Sequence, residues 1–429
     1  MWLQIYCFLH SNKIVFCINV KNLTRRFYYI GGPTLLKSKS MKKIHLISIL
    51  IAIACNSSET NSIDVIEIDF QYIKQKIIIP VEIDNEIYQF CLDTGNRTSI
   101  SNDLRNKLVP KVEYEANILD GNGNNQIMET VLLDRLNIGS IGFSKINALT
   151  YDFGKIFGCF EYDGYIGSDL LLDYIVQIDL DTKKIRLIRD PGLLKLDPLD
   201  AQEMVLIGDQ GSPYVWIEFD QDKTPFKDFV MVDTGMYGIY DLSLDTYERL
   251  LKNQKINLLA KSEGAATVGA FGIGEKRDQF LFHFPNLRVG NFNILNYIHI
   301  GTHASTSRIG SELLEHGIMT LDFINEKFYF NSTLEHFQIE QTKPHFYPTY
   351  QDEKLIVGIV WDEKLKSKIQ FGDQILEVNG KDLTELDFCD LVLGPSQFKK
   401  DDLLNIKFRR EKDSIFTLEL KKEKMVFSD

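Results

Sequence analysis

The hexapeptide Phe90-Cys91-Leu92-Asp93-Thr94-Gly95 recurs 140 residues later as Val230-Met231-Val232-Asp233-Thr234-Gly235, and no other feature of the chain constrains its fold as much. Downstream of each copy, 73 and 76 residues after the Asp, a second motif repeats: Ile166-Gly167-Ser168-Asp169-Leu170-Leu171 and Ile309-Gly310-Ser311-Glu312-Leu313-Leu314. A single Asp-Thr-Gly is a weak signal. Two copies, each followed by a matching Ile-Gly-Ser-acid-Leu-Leu, mean that the chain carries an internal duplication.

Each Asp-Thr-Gly ends a hairpin of apolar strands, Ile77 to Ile83 then Glu86 to Leu92, and Tyr214 to Phe219 then Phe226 to Val232. Each Ile-Gly-Ser leads into strand, turn and strand: Ile175 to Leu180 and Lys184 to Ile188 around Asp181-Thr182, then Ile318 to Phe323 and Phe328 to Phe330 around Asn325-Glu326. Between these landmarks, Leu119-Asp120-Gly121-Asn122-Gly123-Asn124 reads as a hairpin tip, because Asp-Gly and Asn-Gly tolerate positive φ. Residues Gly264 to Gly274, with Gly269, Phe271 and Gly272, occupy the equivalent place in the second half. That stretch lacks the Gly-Lys-Ser/Thr of a phosphate loop. Alternation and turn signals predict a mainly β chain with one small β-rich lobe per half.

The paired Asp-Thr-Gly motif resembles the pepsin/retropepsin group of aspartic proteases over about residues 65–335. The resemblance implies a bilobal pseudo-dimer, with lobe 1 at 65–195 and lobe 2 at 196–340, acting as a monomeric aspartic endopeptidase on peptide or protein substrates. Asp93 and Asp233 match its catalytic pair. Thr94 and Thr234 match the hydroxyls that cross-link the two loops, and Gly95 and Gly235 the positions where a side chain would block close approach. Gly167 and Gly310 match glycines beside which each loop threads. The hairpins at Gly121, Asn122 and Gly123 and at Gly269, Phe271 and Gly272 resemble substrate-covering flaps. The chain departs from the pattern at Asn96 and Met236, where Ser, Thr or Ala is usual. Met236 cannot donate a hydrogen bond to the dyad, and its bulk is expected to narrow the cleft. No Tyr stands at the first hairpin tip, and Arg308 replaces an apolar residue before the second Ile-Gly. These departures argue against a strongly acidic pH optimum.

From about His345 the character changes. Phe371-Gly372-Asp373-Gln374-Ile375-Leu376-Glu377-Val378-Asn379-Gly380, after the strand Leu355 to Val360, resembles the PDZ signature, with Gly372, Asp373, Ile375, Asn379 and Gly380 as its marker residues. The resemblance implies a small α+β domain over 345–429 that takes a C-terminal peptide by adding it to a sheet edge. No glycine-rich carboxylate loop precedes Leu355, which leaves peptide capture and a packing or regulatory role both open.

Residues 1–54 hold eight Lys/Arg and no Asp or Glu, whereas the rest of the chain has a net charge of −20 within an overall −12. Met41-Lys42-Lys43 opens an 11-residue, mostly apolar run from Ile44 to Ala54, the length of a signal-peptide core. Ala52-Ile53-Ala54-Cys55 resembles a bacterial lipoprotein signal, with Cys55 the lipidated residue and 55–64 a polar tether. A plain cleaved signal with an incidental Cys55 is the other reading. Residues 1–40 are expected to be a mis-assigned upstream extension and 41–54 the signal peptide. Lipidation implies an exported protein on the cell-envelope membrane, on its periplasmic or surface side, held by acyl chains.

The acidic balance argues against nucleic-acid binding, which needs a basic footprint. Cys91, Cys159 and Cys389 are too few for a disulfide framework and lack metal-ligand spacing, so they read as small core residues. His299 and His303 fall on strand and turn without a His-Glu-x-x-His pattern, so no metal is expected, and no cofactor. Two functions remain: an aspartic endopeptidase with a PDZ domain, or a noncatalytic peptide-binding lipoprotein with a degenerate protease cleft.

Overall fold

In the strand Lys76–Ile83, residues Ile77, Ile79, Val81 and Ile83 all enter the main core, while Ile78 faces the other way. That alternation, repeated along both halves, makes sheets with one face toward the core. The computed structural model describes residues 4–10, 13–19, 65–120, 124–152, 154–219, 226–265, 268–269, 271–338, 342, 344–394, 398, 402–410 and 414–425. The expected signal peptide, Cys55 and the tether to residue 64 lie outside them, as do Gly121, Asn122 and Gly123. Strands Gln4–His10 and Lys13–Asn19 pair antiparallel as a hairpin of the separate unit 1–62.

The fold is mainly β and bilobal. Lobe 1 is an eight-stranded sheet in which Gly164–Ile166 lies parallel to Glu86–Leu92 and antiparallel to Ser99–Ser101. Lobe 2 repeats the insertion: Arg308–Ile309 lies parallel to Phe226–Val232 and antiparallel to Tyr240–Ser243. Each inserted strand is the start of the repeated Ile-Gly-Ser motif, so the duplication in sequence is a duplication of this local topology.

A shared antiparallel sheet joins the lobes, in the order Val65–Asp69, Lys184–Ile188, Ile175–Asp179, Ile318–Asp322, Lys327–Asn331, Gln202–Ile207. At its centre Val176 pairs with Leu321, Gln177 with Thr320 and Ile178 with Met319. The pseudo-twofold axis therefore passes the Gln177–Thr320 pair, whose amide Nε2 donates to the Thr hydroxyl at 3.1 Å.

The C-terminal module consists of strands Phe346–Gln351, Lys354–Val360, Gln374–Val378, Lys381–Asp382, Leu403–Arg410 and Ser414–Lys421 with the helix Phe388–Leu393. It has its own core around Val357, Ile369, Ile375, Ile406 and Phe408. The marker residues build this frame. Asp373 is buried and takes both Nε and Nη2 of Arg410, and Ile375 is in the core. Asn379 and Gly380 supply a positive-φ turn, and Gly372 also has positive φ.

The module is tied to both lobes. Ile359 and Trp361 pack with Leu281, Ile298 and Ile300 of lobe 2, and the Ala265 amide donates to the Gly358 carbonyl at 3.1 Å. On the lobe 1 side, Cys389 of the helix is disulfide-bonded to Cys159, and Lys155 pairs with Glu353. This corrects the reading of these cysteines as core residues: 230 positions separate them, and only the docking of the module brings them together. Cys91 is a free, buried cysteine. A non-reducing digest of the native chain is expected to give one cross-linked peptide pair containing Cys159 and Cys389, with Cys91 recovered as a thiol. Alkylation of Cys159 and Cys389 in the unreduced protein would contradict this docking.

Candidate active site

Each Asp-Thr-Gly follows directly on a core strand that ends at the lobe interface, so the two loops meet across the pseudo-twofold axis. Asp93 N–H donates to the Ile166 carbonyl at 3.0 Å and Asp233 N–H to that of Ile309 at 2.8 Å, which anchors each loop on its own inserted strand. The threonines then exchange partners. The Thr94 amide donates to Thr234 Oγ1 at 3.0 Å and the Thr234 amide to Thr94 Oγ1 at 3.1 Å. Thr94 Oγ1 donates onward to the Val232 carbonyl at 2.6 Å, and Thr234 Oγ1 to that of Leu92 at 2.9 Å. Both side chains are fully buried, so every donor and acceptor in this lattice depends on its partner in the other lobe.

The glycines set how close the carboxyls come. A Cβ on Gly95 would stand 2.6 Å from Asp233 Cγ, and one on Gly235 2.2 Å from Asp93 Cγ. No side chain fits there, so each carboxyl lies against the other loop. The Gly95 amide donates to Asp93 Oδ1 at 3.1 Å and the Gly235 amide to Asp233 Oδ1 at 3.0 Å, which orients both carboxyls alike. Asp93 is partly buried and Asp233 buried. Burial first, and then the charge of Asp233, push the Asp93 carboxyl up to about 8, against the opposing pull of Lys76. Two carboxyls this close hold one proton between them at neutral pH.

A second layer of cross-lobe contacts supports the loops. Ser168 Oγ donates to the carbonyl of Gln210, and Ser311 Oγ to that of Gln75, so the serine of each Ile-Gly-Ser binds a turn from the opposite lobe. From those turns Gln210 Nε2 donates to the Gly95 carbonyl at 3.1 Å, and Lys76 Nζ to the Gly235 carbonyl. The sequence reading assigned no role to Gln75, Lys76 or Gln210; the signal that could have found them is the repeated Ser itself, which is buried and has to bond something. Gly167 and Gly310 lie against the loops, where a Cβ would meet the Asn96 carbonyl at 2.5 Å and the Gly238 carbonyl at 2.4 Å.

Met236 is a correction. It is buried, with its methyl end turned against Gly310, so its bulk enters the lobe and does not narrow the cleft. The two segments expected to act as flaps meet each other. Strands Lys111–Leu119 and Asn125–Ile138 form the first hairpin, and Asp120 at its end accepts the amide of Phe271 at 3.1 Å. Phe271 follows the short strand Val268–Gly269 and precedes Gly272–Ile273. Its ring packs on a lobe 1 cluster of Ile78, Cys91, Met128, Leu149, Tyr151, Tyr162 and Tyr165, 6.0 Å from the Tyr151 ring.

No family profile and no curated protein matches this chain. Among solved structures it is similar to the crystal structure of a retropepsin-like aspartic protease from Rickettsia conorii, with 20% identity and a TM-score of 0.23, over 29% of this chain and 90% of that one.

Among the described residues no group of His, Cys, Asp or Glu is placed to hold a metal ion. His299 stacks on Tyr297, and the His303 ring meets the Asp278 carbonyl. The arrangement offers two adjacent carboxyls, one proton and rigid backing. Replacing Thr94 with Val keeps its volume but strands the Thr234 amide and the Val232 carbonyl in the interior. That change is expected to cost about 2–5 kcal/mol, with Thr94→Ser costing much less. Equal midpoints for the two variants in urea unfolding would show that the lattice does not hold the lobes together.

Proposed function

We propose that the chain is an aspartic-type endopeptidase. The observation that carries this reading is the pair of glycine contacts, which press the carboxyls of Asp93 and Asp233 together from separate halves of the chain. The reaction needs one ionised and one protonated carboxyl. The ionised member takes a proton from a water held between the two, the water oxygen bonds to the peptide carbonyl carbon, and the protonated member gives its proton to the carbonyl oxygen. Collapse of the tetrahedral intermediate breaks the C–N bond as the proton taken from water passes to the leaving amine. No covalent enzyme intermediate forms, and the lattice beneath the dyad keeps the carboxyls from moving apart.

The C-terminal module, read as PDZ-like, serves here as a strap more than as a peptide receptor. Tyr350 spans from strand Phe346–Gln351 to the helix Phe388–Leu393, donating to the Leu391 carbonyl at 3.1 Å and stacking edge-on to Phe388. That fills the gap in which an added peptide strand would lie. Attachment to both lobes instead makes the module a control on flap movement, with Phe271 seated in the aromatic cluster until substrate displaces it. A disulfide also fits an oxidising compartment, which supports export; attachment through Cys55 stays part of this reading on its sequence alone. The noncatalytic reading, a peptide holder, draws on the same seated Phe271.

The test is peptide release from an unfolded protein mixture by the full chain and its Asp93→Asn variant, from about pH 3 to 9. The native chain is expected to release peptides and to lose activity above about pH 8, where Asp93 gives up its proton. The variant should retain less than about a hundredth of the rate. Equal release by both would exclude the dyad; peptide binding without release by either would favour the peptide holder.

A further inference from the structure

The two halves of the site differ in charge at two positions, Lys76 where the other half has Gln210, and Arg308 with its partner Asp241. In lobe 2, Arg308 stands opposite Asp241 on the neighbouring strand; the corresponding pair in lobe 1 is Tyr165 opposite Ser99, with no charge. Arg308 Nη2 donates to Asp241 Oδ2 at 2.6 Å and Nη1 to Asp233 Oδ2 at 3.3 Å, with side-chain exposures of only 18%, 10% and 9% for Arg308, Asp241 and Asp233. Arg308 Nε has no hydrogen-bond partner among the described residues, so these two carboxylates are what hold the guanidinium in place. The other cation beside the dyad, Lys76, spends its hydrogen bond on the Gly235 carbonyl.

We propose that Arg308, anchored by Asp241, is a positioning residue that fixes the negative charge of the dyad on Asp233 and leaves the proton on Asp93. The inference rests on the peptidase reading for its catalytic consequence, though not for the charge distribution itself. Asp233 then takes the water proton and later returns it to the leaving amine. Asp93 gives its proton to the scissile carbonyl oxygen and recovers it as the intermediate collapses. A symmetric dyad can exchange these roles; this one cannot, because only Asp233 touches a guanidinium.

Of the remaining groups around the dyad, Lys76 pulls on Asp93 in the opposite sense but gives its hydrogen bond to the Gly235 carbonyl, and those that follow are neutral. Burial pushes the Cys91 thiol up to about 12 and raises the Tyr151, Tyr162 and Tyr165 phenols well above their ordinary value, so all four are neutral. His299, which faces Asp241 and Arg308, is lowered by burial and is neutral as well. Asp93 is pushed up by burial and by Asp233, in keeping with its place as the proton carrier. Burial alone would lower Arg308, but Asp241 and Asp233 outweigh it, so the guanidinium stays charged.

The experiment compares the full chain with Arg308→Met and Arg308→Lys in two readouts. The first is the pH profile of kcat/KM on a peptide substrate. Arg308→Met is expected to move the acid limb up by about one pH unit, a tenfold relative loss on that limb, while Arg308→Lys keeps its position. A lower plateau with both limbs unmoved would mean that Arg308 only supports the fold, and would overturn the proposal. The second readout needs no turnover: carbon-13 spectra of aspartate-labelled protein near pH 6, with signals assigned from Asp93→Asn and Asp233→Asn. A protonated Asp93 and an ionised Asp233 are expected, and the distinction should be lost in Arg308→Met and kept in Arg308→Lys. Averaged signals in the native chain, or the proton on Asp233, would overturn it even if the peptidase reading stood. Absence of turnover with the expected spectra would sink the peptidase reading and leave the charge assignment intact.

Discussion

Everything at the site depends on the exchange of hydrogen bonds between Thr94 and Thr234. Each amide and each hydroxyl uses the other lobe as its partner, with both side chains fully buried. A lobe by itself would give these groups to water, so each cross-lobe bond adds roughly 0.5–1.5 kcal/mol to the association. The lobes therefore associate through the same atoms that position the carboxyls. Stability and site geometry are one problem in this chain, which is why the glycines, the serines and the central sheet all gather on the same axis.

Much of this was legible from sequence. The hairpins Lys76–Ile83 with Glu86–Leu92 and Ser212–Phe219 with Phe226–Val232 fall within two residues of their expected positions, because apolar alternation and turn residues are local signals. The duplication also made the meeting of the two Asp-Thr-Gly loops an expectation. What was not legible is set by packing between distant parts. The disulfide needs the helix Phe388–Leu393 to dock beside lobe 1, and nothing near Cys159 or Cys389 announces that. Gln75 and Gln210 are ordinary polar turn residues until the opposite serine reaches them. The fate of Met236 likewise follows from the space beside Gly310, which no local pattern encodes.

The duplication is most faithful where the backbone must satisfy itself and least so at the surface of the cleft. The inserted strands, the threonines and the serines obey the twofold. Arg308 with Asp241, Lys76, and the reach of Phe271 into the lobe 1 aromatic cluster do not. The C-terminal module is a further asymmetry, since it packs on lobe 2 through Ile359 and Trp361 and is covalently linked to lobe 1. A symmetric frame thus carries an asymmetric charge and an asymmetric cover. On the proposed peptidase reading, a peptide, which has a direction, meets a site that has one too.

The central claim is that Asp93 and Asp233 act as one unit. Its most direct test is calorimetric binding of a peptide in which a secondary alcohol replaces the scissile amide, mimicking the tetrahedral intermediate. One molecule is expected to bind per chain, with affinity falling about a hundredfold or more in Asp93→Ala and in Asp233→Ala alike. Undiminished binding in either variant would contradict it.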